Sequence, residues 1–486
     1  MGDSDRPVVI LGAGCAGLAA GLRLSKKGRK VVLIEQDDHV GGLAGGVQIG
    51  ANTYEYGPHA FHTTDPEILN DVKSLMGPEL IEYHRSIKIR FLGKYFQFPL
   101  TIRDVLVRLP VKTVIVAGFS FLWHFFKGFV SKPAVENSET LLMRYYGRVL
   151  YEIFFKSYII KVWGISPAEF SPSFARERIP RLNLLAFLDK IWSAAKERLG
   201  HKVKTEGYVE KVEGKLWTTR RGFSLITQRM AEGLAELGGD VLLDTRATRV
   251  FREGERIRAV EIASKRGGPP RRIECDGVIN TLPVNEFTRM ISPPPAKDVL
   301  DAAAQLKFRA LVFVGVLVRR PKALLSSFMY FREHSFNRIA DLSQFGFEIE
   351  PPGCSVLVAE ISCGKDERYW TDDEYAKQAV MADLLRENLV TRDEVMEMHV
   401  FRAEHAYPIY TLHYETHKKT VVDAIDGSAN METAGRQGRF AYVNTHIAMK
   451  MGYEAADRLA AKLEKADEAS GDFSQSVLDQ GIGRTG

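Results

Sequence analysis

Residues 7–35 set short apolar runs against glycines at fixed spacing. Val8-Val9-Ile10-Leu11 has no polar interruption, the mark of a strand buried on both faces. Leu18-Ala19-Ala20-Gly21-Leu22-Arg23-Leu24 begins a helix, and residues 30–34 form a second buried strand that ends on Glu35. Between strand and helix lies Gly12-Ala13-Gly14-Cys15-Ala16-Gly17. Strand, glycine turn, helix, strand and terminal carboxylate make a dinucleotide-binding fingerprint. The first glycine permits the turn, the second lets a pyrophosphate approach, and the third lets the helix pack on the sheet. Free N–H groups and the helix dipole then favour an anion at the helix start. Glu35 stands 23 positions after Gly12, near the spacing of about 20 for a carboxylate that binds a ribose hydroxyl.

The pattern beyond Glu35 alters the choice of dinucleotide. Gln36 leads into Gly41-Gly42-Leu43, a glycine pair that lets the backbone run along an extended cofactor. It resembles the pair many flavoproteins carry here and simple nicotinamide dehydrogenases usually lack, which moves the preference from NAD to FAD. Gly57-Pro58-His59-Ala60-Phe61-His62 suits neither helix nor strand, and is expected as a loop against the flavin ring. A helix is expected over 65–76 with Asp65 as N-cap and Pro66 at its first position, then a hairpin over 87–98 turning at Leu92-Gly93-Lys94. Residues 114–126 (VIVAGFSFLWHFF) are the most apolar stretch, too short to span a bilayer. They fit a buried helix, a helix lying in a membrane interface, or the wall of an apolar channel. Residues 138–161 read as helical, and 162–167 stop that helix. Arg176, Arg178 and Arg181 follow, either a solvated face or a diphosphate clamp.

The pattern then returns to short strands. A helix over 224–237 precedes strands at 240–243 and 247–252, and a hairpin at 257–263 and 271–275 turns through 266–270. Residues 277–283 read as another buried strand ending in a loop. Strand character recurs at 306–318 and 354–362, with a helix at 372–388. Gly435-Arg436 through Tyr442-Val443-Asn444 introduces a last helix over 446–464, and a disordered tail is expected from 468.

Composition narrows the classes. The chain has 486 residues, 45% hydrophobic and 26% charged, with a net charge of +5. That charge suits phosphorylated ligands or an anionic membrane surface, and no nucleic-acid-binding module is read. Cys15, Cys275, Cys354 and Cys363 form no metal-ligand spacing, so no metal is expected. They fit a reducing cytoplasm, as does an acidic, non-apolar N-terminus.

These motifs together resemble the FAD-dependent amine oxidase and protoporphyrinogen oxidase superfamily, most nearly its UDP-galactopyranose mutase-like branch. The similarity runs from Val8 to about Leu463. Its more specific carriers are Tyr56–Thr63, Phe154–Tyr158 with Lys161-Val162-Trp163-Gly164, Arg178-Ile179-Pro180-Arg181, and the 435–444 segment. The chain departs from that branch at Leu182-Asn183-Leu184-Leu185, where a tyrosine-bearing tract is usual, and at Asn444, where the branch has Asp.

The resemblance implies an α/β fold: a Rossmann-like FAD domain, a parallel sheet with an inserted β-meander, beside a mixed, largely helical substrate domain. The FAD domain is expected over 1–80, 215–295 and 400–467, the substrate domain over 81–214 and 296–399, and the tail over 468–486. The resemblance also implies FAD contacts from Gly12, Ala13, Gly14, Cys15, Ala16, Gly17, Glu35, Gln36, Gly41, Gly42, Leu43, Gly57, Pro58, His59, Val250, Gly435 and Asn444. It implies catalytic roles for Arg178, Trp163, Tyr442, Arg436 and His62. Two reactions follow. One is redox-neutral isomerisation of a nucleotide-linked or lipid-linked sugar, begun by attack of reduced flavin N5 on the anomeric carbon. The other is hydride transfer to FAD from an apolar or polyisoprenoid substrate. Either partner is a small molecule, and peripheral contact with the cytoplasmic face of a membrane stays open.

Overall fold

The computed structural model describes residues 6–98, 108–130, 135–179 and 215–481. Arg181 and residues 182–185 lie outside the described residues.

The apolar run at the N-terminus becomes the central strand of a five-stranded sheet, ordered Met431–Thr433, Gly277–Asn280, Val8–Leu11, Val31–Ile34, Asp240–Leu242. All its pairs are parallel. Val8, Val9, Ile10 and Leu11 are all buried, as a strand covered on both faces requires. The Cys15–Lys26 helix buries Leu18, Ala19, Ala20 and Leu24 between this sheet and its neighbouring helices. The Ser224–Glu236 and Thr445–Gly481 helices pack beside it. The expected meander is a four-stranded sheet ordered Arg271–Glu274, Arg256–Ser264, Thr245–Glu253, Ile291–Ser292.

The second region is built on a seven-stranded sheet. Its order is Val395–Pro408, Phe308–Val318, Ser355–Cys363, Arg338–Asp341, Phe328–Phe331, Ile87–Phe91, Lys94–Gln97. Phe328–Phe331 and Ile87–Phe91 pair in parallel, and the other neighbours are antiparallel. This region is mixed, as expected, with helices at Val111–Val130, Ser138–Leu150 and Asp373–Arg386 beside the sheet. The short strands at 328–331 and 338–341 were not anticipated. Strand Val395–Pro408 belongs wholly to this sheet, so a domain boundary at 400 would cut it.

The Val111–Val130 helix lies on the Ser138–Leu150 helix. Their approach depends on Gly147, at φ 73°, where a Cβ would stand 2.5 Å from the Phe121 backbone nitrogen. The last helix continues to Gly481, through residues expected as a tail. No proline occurs between 445 and 481, and Ala, Glu and Lys predominate at 460–469. Among the described residues no helix is long and apolar enough to cross a membrane.

Candidate active site

Both regions line one cavity of about 1830 Å³. That is roughly twice the upper range for a small-ligand site, enough for an extended dinucleotide and a second molecule.

The glycine loop forms one end. Gly12 sits at φ 99°, and a Cβ there would stand 2.5 Å from Thr281 Oγ1. At Gly17 a Cβ would stand 2.0 Å from the carbonyl oxygen of Gly12, so helix and turn touch only because this residue has no side chain. Gly14 instead faces open space: the nearest atom to an added Cβ would be Gly41 O, at 4.0 Å. Gly14 is the N-cap of the Cys15–Lys26 helix and has no side chain to cap it, which leaves the first-turn N–H groups for a ligand. The 41–42 turn is tied to this loop, with Gly41 N–H donating to Ala13 O at 2.8 Å.

Glu35 is buried and lines the same end. Its Oε2 accepts from Ala13 N–H (2.7 Å) and its Oε1 from Asp37 N–H (3.1 Å). Burial raises its carboxyl above the ordinary carboxylate range, and the two backbone donors oppose that rise. Cys15 lines the cavity as a free thiol that burial pushes up to about 12, which makes it a poor nucleophile.

The 57–62 loop forms the middle. Gly57, at φ 93°, lies against an ion pair: a Cβ would stand 2.3 Å from Glu360 Oε1. Glu360 is fully buried, and Arg338 donates to its Oε1 from Nε at 2.8 Å and from Nη2 at 2.5 Å. Arg338 lines the cavity with Tyr330 and Tyr407. His59 also lines it, and among the described residues its buried Nδ1 has no hydrogen-bond partner, 4.0 Å from the equally unpartnered Oε2 of Glu55. Burial, reinforced by the charges of Arg338 and Arg436, drives His59 down to about 3, so its imidazole is neutral. Burial pushes Glu55 up to about 8 even though its Oε1 accepts the backbone N–H groups of Phe223 and Ser224. His62 meets His446 edge-on at 4.7 Å.

In the same cavity two arginines lie over one tyrosine. The Arg178 guanidinium lies 3.9 Å from the Tyr442 ring centroid and that of Arg436 lies 4.8 Å away. Arg436 is held by donating to Val443 O at 2.6 Å. Tyr442 N–H donates to the Tyr410 hydroxyl at 2.8 Å, and its ring meets Tyr407 edge-on. Trp163 packs against Phe174 and Tyr407.

The predicted residues therefore converge. Gly12, Gly14, Cys15, Ala16, Glu35 and Gln36 line the glycine-loop end. Gly41, Gly42, Leu43, Pro58, His59 and His62 follow. Trp163, Arg178, Gly435, Arg436, Tyr442 and Asn444 complete the lining. Ala13, Gly17 and Gly57 shape the wall from behind it. Val250 does not reach the cavity: it is fully buried, and Ala247 on the same strand lines the wall instead. A bulge between Ala247 and Arg249 brings Ala247 and Val250 to one face of the strand, so position along the strand, not facing, separates them. Arg338, Tyr330, Glu55 and Glu360 were missed. An Arg and a Glu within apolar strands, at 338 and 360, were the available signal.

A parallel sheet carrying a glycine loop, joined to a second sheet across a long shared cavity, defines a two-region dinucleotide enzyme. The chain belongs to the flavin-containing amine oxidoreductase family, whose model matches residues 15–460. It is an FAD-dependent enzyme. It is 30% identical over 183 residues to a probable UDP-galactopyranose mutase of Klebsiella pneumoniae, covering 37% of this chain and 47% of that protein. It is 26% identical over 327 residues to a phytoene dehydrogenase of Streptomyces griseus, covering 60% and 57%. The matched segments thus span about half the length of these relatives. The fold is like that of reduced UDP-galactopyranose mutase, with a TM-score of 0.78 at 20% identity over 94% of each chain.

Proposed function

We propose that this enzyme acts on a sugar carried through a diphosphate, as a UDP-galactopyranose mutase-like flavoenzyme. The observation that carries this reading is the pair Arg178 and Arg436, both placed over the Tyr442 ring in the wall of the cavity. The cradle fits FAD: the open face at Gly14, the uncapped helix start and the buried Glu35 carboxylate match pyrophosphate and ribose. Gly41, Gly42, Pro58, His59, Gly435 and Asn444 would hold its remainder. Bound flavin supplies an N5 atom able to act as nucleophile or hydride acceptor.

The chain's own residues do the rest. Arg178 and Arg436 place two fixed cations where a leaving diphosphate gathers charge, so they stabilise departure of the carrier more than its bound state. Arg338, held by Glu360, adds a third guanidinium to the wall. Trp163, Tyr407 and Tyr442 bound the sugar with flat apolar faces and exclude water. The neutral His59 offers a hydrogen bond without a charge.

A second reading, hydride transfer from an apolar chain, is favoured by the aromatic lining contributed by Phe91, Phe154 and Phe155. The test of the diphosphate reading is Arg178→Ala. Losing one charge-assisted contact of ~2–3 kcal/mol weakens a diphosphate ligand about 30- to 150-fold. FAD affinity stays within about threefold. Flavin absorbance titration with UDP measures both, and equal loss of UDP and FAD binding would rule out the clamp.

A further inference from the structure

The helix Val111–Val130 is apolar on two opposite faces that have different surroundings. Its inward face supplies Val114, Ala117 and Phe121 to the cavity wall. Its outward face carries Val111, Ile115, Phe119, Leu122, Trp123 and Phe126. Among the described residues nothing covers that face: Val111 is 73% exposed, Phe119 72% and Trp123 69%. The spacing 111, 115, 119, 122, 126 is one helical stripe, with Trp123 beside it. Lys112 and Lys127 are exposed near its two ends, and the sequence 111–130 contains no acidic residue.

Behind this helix the cavity is lined by Ile89, Phe91, Tyr146, Leu150, Phe154 and Phe155. These six side chains are uncharged and five of them are pure hydrocarbon, unlike the arginine-bearing part of the wall. Arg332 lies over the Phe91 ring at 4.6 Å, a cation supported by an aromatic face. One helix therefore separates an aromatic limb of the cavity from an exposed aromatic and basic surface.

We propose that the outward face of Val111–Val130 lies in the interface of an anionic lipid bilayer, and that the limb behind it takes the hydrocarbon tail of a lipid-phosphate substrate. Trp and Phe on one face with lysines at both ends match the chemistry of an interfacial helix. The lysines face anionic headgroups. A chain drawn from that bilayer reaches the limb around the helix that borders both, so the surface and the cavity are continuous parts of one device. No covalent step is involved. The tail position rests on the proposed function for its phosphate end, while the membrane surface stands without it.

The FAD-loaded full chain is floated with vesicles of phosphatidylcholine containing phosphatidylglycerol, and its flavin absorbance is titrated with dodecyl phosphate and with inorganic phosphate. The wild-type chain floats. Phe119→Glu with Trp123→Glu, both outside the cavity wall, reduces vesicle binding at least tenfold and keeps FAD. Dodecyl phosphate perturbs the flavin at concentrations at least tenfold below inorganic phosphate. A wild-type chain that does not float, or a double variant that floats equally, overturns the membrane surface. A double variant that only abolishes self-association on size exclusion assigns the face to a second copy and also overturns it. Equal responses to the two phosphates overturn the tail site. If dodecyl phosphate keeps its advantage while Arg178→Ala leaves every phosphate response unchanged, the diphosphate reading fails and the tail site stands.

Discussion

Glu55→Gln isolates a buried ionisation beside the flavin loop. Glu55 is 1% exposed; its Oε1 accepts two backbone N–H groups, and its Oε2 has no hydrogen-bond partner among the described residues. Burial holds its pKa at about 8 in the fold against an ordinary 4.5. Below the ordinary value both folded and unfolded chains keep the proton, and this residue imposes no pH dependence. Between the two values only the folded chain keeps it, so unfolding releases a proton and stability falls as pH rises. The slope is about 1.4 kcal/mol per pH unit, and the loss levels off near 5 kcal/mol above the folded value. Glutamine keeps an acceptor for Phe223 and Ser224 and never ionises. The stability difference between variant and wild type should therefore grow in favour of Gln from pH 5 to pH 8 and then level. Urea unfolding of the FAD-loaded chain at several pH values, followed by tryptophan fluorescence, measures it. A difference that stays constant across this range would refute the buried ionisation, and one that shrinks would reverse its sign.

Two further substitutions probe the frame. Gly17→Ala places a Cβ where Gly12 O already stands at 2.0 Å, which costs ~1–3 kcal/mol of overpacking; FAD retention through gel filtration should fall at least tenfold. Arg338→Ala leaves the Glu360 carboxylate buried without its cation, a loss of about 3–5 kcal/mol. Adding Glu360→Gln should recover most of that loss in a urea-unfolding double-mutant cycle, and strict additivity would show that the pair is not coupled.

The nucleotide-binding half was legible because its determinants are local. Gly12, Gly14, Gly17 and Glu35 sit within one strand–helix–strand unit, where spacing alone reports backbone conformation. The arginines at 178 and 436 were recognisable from short motifs, and the fold brings them to one tyrosine. The pairing of Arg338 with Glu360 was not legible: the strand of Glu360 was expected, but that of Arg338 is four residues long and depends on partners far along the chain. Phe328–Phe331 beside it pairs with Ile87–Phe91, about 240 residues away. Val250 shares a face with the wall residue Ala247 but stands three positions further along the strand, a distance along the cavity that strand propensity does not report. The 111–130 helix was ambiguous for a different reason: both faces are apolar, so periodicity cannot separate a cavity wall from an exposed surface.

The central claim is that the cavity beyond the flavin site handles a diphosphate-linked sugar without net redox change. The direct measurement is anaerobic incubation of oxidised and of reduced enzyme with UDP-galactopyranose and with a polyprenyl-diphosphate galactose. Sugar ring form and flavin absorbance are followed together. The account predicts that only the reduced enzyme isomerises one of these sugars, and that its flavin remains reduced over many turnovers. Stoichiometric bleaching of the oxidised flavin by either substrate, with no isomer formed by the reduced enzyme, would contradict it.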